Sequence, residues 1–163
     1  MKISPAIKGI ITAALMTGII LLIYNMGKNA DTRLQYAVYG IYALGIVWTL
    51  VAFRQTAAYT GTFGNLFSQG FRCFIVVTLI MALFYGIFNY SHPEFAEESS
   101  KIYKEQLLSE KNGSKTPDEI EEATRSYKKG YNMAVVYGSI FGYLIIGVAV
   151  TAAISVFLIK RKE

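Results

Sequence analysis

Few side chains in this sequence have the type and spacing to do chemistry. The single histidine, His92, stands in Ser91-His92-Pro93-Glu94 at the end of an apolar run. A nucleophile needs a base within hydrogen-bond reach and that base needs an orienting partner. A zinc protease needs two histidines one helical turn apart, as in HExxH. Neither pattern occurs, so His92 reads as a capping or interfacial residue. The single cysteine, Cys73, excludes an internal disulfide, CxxC exchange and a cysteine zinc cluster. Lying in an apolar run, it reads as a small buried or lipid-facing residue. Asp118, Glu119, Glu121 and Glu122 lack the spacing of a calcium loop and read as a solvated helix face. Tyr36, Tyr39 and Tyr42 recur every three residues, an aromatic belt with a ligand-stacking ladder as the alternative. No catalytic, cofactor-binding or metal-ligating set is expected, and the chain reads as non-enzymatic.

The elements that hold these residues are apolar. Hydrophobic residues make up 53% of the 163-residue chain and charged residues 17%, with a mean hydropathy of +0.37. The only charges between Pro5 and Tyr90 are Lys8, Lys28, Asp31, Arg33, Arg54 and Arg72. About 30 Å of hydrocarbon needs about 20 helical residues, which predicts four spans, at 7–26, 34–53, 70–90 and 131–159. The first is longer than a signal-peptide core and lacks a small-x-small cleavage site, so it reads as a mature helix. Lys8 at its edge is expected to snorkel to the headgroups. None of the spans carries a mid-membrane carboxylate, which a proton-coupled exporter would need. The net charge of +5 sits at the ends of apolar runs and not on a basic patch, so nucleic acid is not an expected partner.

Between the second and third spans, residues 54–69 are rich in Gly, Thr, Ser and Gln and read as a surface segment. After the third span, Pro93 starts a charged helix that Asn112-Gly113 ends. Thr116-Pro117-Asp118-Glu119 is a capping box that starts the next helix. Residues 91–130 therefore read as an extramembrane helical hairpin inserted between the third and fourth spans. Phe95, Ile102, Leu107, Ile120 and Tyr127 are its candidate partner-binding residues, and Gly130 is a candidate hinge. The fourth span carries Gly138, Gly142, Gly147, Thr151 and Ser155, a small-residue face for packing within the bundle or for dimerisation.

The fold class is thus all-α, a four-helix transmembrane bundle with an extramembrane hairpin. Lys2, Lys8, Arg54, Arg72, Lys160, Arg161 and Lys162 fall on the side of both termini. The positive-inside rule then makes the termini cytoplasmic and the hairpin periplasmic, in a bacterial inner membrane.

The stretch Thr62-Phe63-Gly64-Asn65-Leu66-Phe67-Ser68-Gln69-Gly70-Phe71-Arg72, with Pro93-Glu94, the charged loop and the long fourth span, resembles domain-of-unknown-function family 4199. The resemblance covers essentially the whole chain and implies a small four-span bacterial inner-membrane protein with one soluble loop. It implies no activity and no cofactor. The expected function is a non-enzymatic subunit or scaffold. Its partners would be the bilayer and, through the hairpin, another membrane or periplasmic protein or a second copy. An oligomeric transporter or channel component is the alternative.

Overall fold

The computed structural model describes residues 3–27, 32–109 and 116–159, without the side chains of Thr32 and Gln35. The expected Asn112-Gly113 stop and the basic end at Lys160–Lys162 lie outside these residues. Five helices follow one another: α1 (Pro5–Asn25), α2 (Thr32–Arg54), α3 (Phe63–Ser91), α4 (Glu94–Ser109) and α5 (Pro117–Leu158). The described residues contain no strand. Helices α1, α2, α3 and α5 are each long and apolar enough to cross a membrane, and the protein is an all-α, multi-span membrane protein.

The helix ends follow from local chemistry. Ser4 caps α1 by accepting the Ile7 amide at 3.3 Å, and Pro5 occupies the first turn, where its missing N–H costs nothing. At the other end Gly27 takes a φ of +65° and donates its amide to Tyr24 at 2.9 Å. The capping box of α5 is formed. The Thr116 amide donates to Glu119 Oε2 at 2.7 Å, and the Glu119 amide donates to Thr116 Oγ1 at 3.4 Å. From there α5 runs unbroken for 42 residues, through Gly130.

One sequence expectation is corrected here. The segment 54–69 is not a surface loop throughout, because α3 begins at Phe63 and not at 70. Gly61, at a φ of +79°, turns the chain. The Thr60 amide donates to Asn65 Oδ1 at 3.1 Å. Phe63 and Phe67 then stack one turn apart at 5.5 Å, and Leu66 is fully buried. These contacts outweigh the polar composition that suggested a loop.

The chain divides into two compact units. The first comprises Met1–Met81 and Ile140–Glu163, the second Ala82–Ser139. Within the first, α1 packs along α2. Its core is Met16, Tyr42, Ile46, Leu50, Leu66, Phe74, Val77 and Met81, all fully buried. Outside that core Ile7, Ile11, Leu15 and Leu22 of α1 stay exposed, the apolar outer face that a bilayer covers. Within the second unit Tyr103 of α4 stacks on Tyr127 of α5 at 4.5 Å, and Asn132 Nδ2 donates to the Gly86 carbonyl at 3.4 Å.

Candidate functional site

Three helices of the first unit meet where glycine permits it. A Cβ at Gly9 of α1 would lie 2.7 Å from the Cys73 carbonyl oxygen of α3. A Cβ at Gly45 of α2 would overlap the Thr12 side chain of α1. Such close backbone approach is the usual way apolar helices gain packing energy where lipid competes for apolar contacts. It also gathers polar side chains. Thr12 Oγ1 donates to the Lys8 carbonyl at 2.8 Å. Thr49 Oγ1 donates to the Gly45 carbonyl at 2.9 Å and lies 3.3 Å from Cys73 Sγ. Lys8 is only 6% exposed, and its ammonium sits 5.3 Å from the centroid of the Trp48 ring. The expected snorkelling lysine is therefore largely enclosed, because its stem is covered by the same close packing that Gly9 allows.

Further along the same unit, Tyr42 Oη donates to the Tyr143 carbonyl at 2.9 Å, and the two rings meet edge to face at 5.4 Å. Tyr39 also approaches Tyr143, at 5.9 Å. Of the tyrosine series, only Tyr42 reaches the core. A Cβ at Gly147 would lie 2.5 Å from Tyr42 Oη and 2.7 Å from Phe74 Cγ. Thr151 fills the notch left at Gly70, and Ser155 is fully buried. The small-residue face of the fourth span is therefore split. Gly147, Thr151 and Ser155 are packed inside, whereas nothing lies within 4 Å of a Cβ at Gly138 or Gly142. Thr78 Oγ1, Thr151 Oγ1 and Ser155 Oγ are buried without a hydrogen-bond partner.

The second unit holds the candidate partner-binding residues, and they too separate. Ile102 is 51% exposed and Tyr127 is also exposed. Phe95 is half-buried, with its ring 5.9 Å from Phe88 and 6.0 Å from His92. Leu107 and Ile120 are corrected. They are only 8% and 7% exposed, because the packing of this unit uses them, so they present no surface. Leu108, next to Leu107 in the chain, is exposed instead. His92 Nδ1 donates to the Phe88 carbonyl at 2.7 Å, and its ring lies on Phe88 at 4.4 Å. Lys128 Nζ meets Glu97 Oε1 at 2.9 Å. That hydrogen bond and the lysine's charge hold the Glu97 carboxyl below its ordinary value. Among the described residues no three His, Cys, Asp or Glu side chains come together as a metal-ligand set.

Sequence reasoning missed the enclosed Lys8, the Tyr42–Tyr143 bond and the Thr12–Gly45 contact. Gly45, in the middle of an uncharged span, was the one available signal for the last. The sequence model of a family described as "Protein of unknown function (DUF4199)" matches residues 6–160. No curated protein and no solved structure matches the chain.

Proposed function

The chain belongs to the DUF4199 family, and from that premise we propose that it is a non-enzymatic membrane subunit that engages a protein partner through α4 and the first turns of α5. These would form a hairpin on the periplasmic side of a bacterial inner membrane, with both termini cytoplasmic. The observation that supports this is Ile102. The apolar stripe of α4 is already occupied: Tyr103 stacks on Tyr127 and Leu107 is buried. Ile102 is left 51% exposed among Glu98, Lys101, Glu105 and Gln106. A lone exposed isoleucine is ordinary. Here Leu108 and Tyr127 are exposed as well, on α4 and the first turns of α5, where the other outward residues are mostly charged. Folding of this unit uses Tyr127 in its stack on Tyr103 but does not use Ile102 or Leu108, and a partner would.

The test is in-cell photocrosslinking with a photoreactive residue at 102 or 108, and at Phe157 as the lipid-facing comparison. A discrete protein adduct at 102 that Leu108→Asp weakens is the expected result. No adduct at either position, or the same adducts at 157, would overturn the reading.

A further inference from the structure

We propose that Lys8 is the anchoring point for the phosphate of an anionic phospholipid at the membrane surface. The proposal is independent of the partner reading, since it concerns only the first unit. The ammonium of a lysine that is only 6% exposed is partly desolvated and is best matched by an anion or several acceptors, because desolvating it without them is costly. Among the described residues neither is supplied, since no carboxylate pairs with Lys8 and its Nζ makes no hydrogen bond. The described part of the first unit contains no Asp or Glu. The Lys128–Glu97 ion pair lies in the second unit. The two carboxylates that the sequence adds to the first unit, Asp31 and Glu163, lie outside the described residues. Asp31 follows the opposite end of α1 in sequence, and the 21 residues of that helix span about 30 Å.

The nearby hydroxyls do not help. Thr12 and Thr49 donate to the carbonyls of Lys8 and Gly45, and neither hydroxyl accepts a hydrogen bond from the ammonium. What remains is the outer side. There Nζ lies over the ring of Trp48, a residue that is 41% exposed. Lysine and tryptophan both favour the headgroup level, one by its charged tip and the other by its amphipathic ring. Lys8 is also in the first turn of a span, three residues after Pro5. Exposed Arg72 precedes Cys73, whose carbonyl meets Gly9, so a second cation starts from the same layer. A phosphate arriving from the headgroup region meets positive charge and no competing carboxylate. The amine of a zwitterionic headgroup would find no acceptor here, which favours lipids with net negative charge.

The experiment uses the full chain in neutral detergent, with phosphatidylglycerol and phosphatidylcholine added in equal amounts, and native mass spectrometry to count bound lipid. Wild type should retain phosphatidylglycerol in preference. Lys8→Met, which keeps the aliphatic stem and removes the charge, should reduce that preference roughly tenfold, the loss expected for one charge-assisted hydrogen bond. Lys8→Arg and Arg54→Gln should keep it. Wild type without the preference overturns the proposal even if Lys8→Met does not fold, and so does a Lys8→Met protein that keeps it. Thermal unfolding in inorganic phosphate separates the sources. If free phosphate displaces the lipid and matches its stabilisation, the site is a simple anion site and the lipid assignment falls.

Discussion

The two units divide the charge of the chain unequally. Residues 82–139 carry seven Lys/Arg and nine Asp/Glu, whereas the remainder carries nine Lys/Arg and only Asp31 and Glu163. In the second unit opposite charges meet, as Lys128 and Glu97 do. In the first unit the polar groups turn to backbone carbonyls, as Thr12, Tyr42 and Thr49 do, and the enclosed cation is left to an outside anion. Glycine shows the same contrast. Gly9, Gly45, Gly70 and Gly147 of the first unit each stand where another helix's atoms would meet a Cβ at under 3 Å. Gly130 and Gly138 of the second unit have open space there. The first unit is built as membrane bundles are, by backbone approach. The segment from α4 to the first turns of α5 is built as water-soluble helices are, by an apolar stripe under a charged surface.

The sharpest way to break this contrast is at the glycines. Gly147→Leu places a side chain against Phe74 Cβ and Cγ, at 2.9 and 2.7 Å from its first carbon. The root of a ring cannot swing aside, so the expected loss is about 3 kcal/mol, at the upper end for overpacking. Gly138→Leu should leave stability unchanged within about 0.5 kcal/mol. Denaturant unfolding of the two variants in the same detergent checks this. Equal losses would remove the distinction between the two parts of the small-residue face.

A smaller effect separates buried from exposed residues in the second unit. Leu107→Ala should cost about 2 kcal/mol, the low end for a buried leucine, because the site lies near the surface of a small unit. Ile102→Ala should stay within about 0.5 kcal/mol. Hydrogen exchange of α4 and of the first turns of α5 reads both. If Ile102→Ala loosened these helices as much as Leu107→Ala did, Ile102 would be a core residue and the partner reading would lose its support.

These particulars show what was legible in the sequence. The helices were, because apolar runs bounded by basic residues and a Thr-x-x-Glu box are local signals. Residues 63–69 were not, because their helix depends on one asparagine accepting an amide five residues back and on Leu66 being buried, neither of which composition reveals. Leu107 and Leu108 are adjacent and identical in type, yet only one is buried. Helical phase decides that, and a charged helix with few apolar residues fixes its phase poorly. The enclosure of Lys8 was illegible for a related reason. It depends on the Gly9–Cys73 and Gly45–Thr12 contacts, which join segments far apart in the chain.

The smallest effect lies in the ion pair that represents the second unit's side of the contrast. Lys128 lowers the Glu97 pKa through its hydrogen bond and its charge, and Lys101 adds to this. A carboxyl whose folded pKa is depressed gives stability that is fully present above its unfolded pKa. That stability is lost as pH falls through the lower, folded value. The second unit should therefore loosen slightly on acidification across that window. Both side chains are about half exposed, so added salt should shrink the effect. Following the Glu97 carboxyl carbon by NMR during an acid titration should show a midpoint below that of an ordinary glutamate, returning toward it in Lys128→Gln. If the midpoint did not move in that variant, the pair would contribute nothing in solution, and the second unit would rest on Leu107, Ile120 and the Tyr103–Tyr127 stack without help from charge.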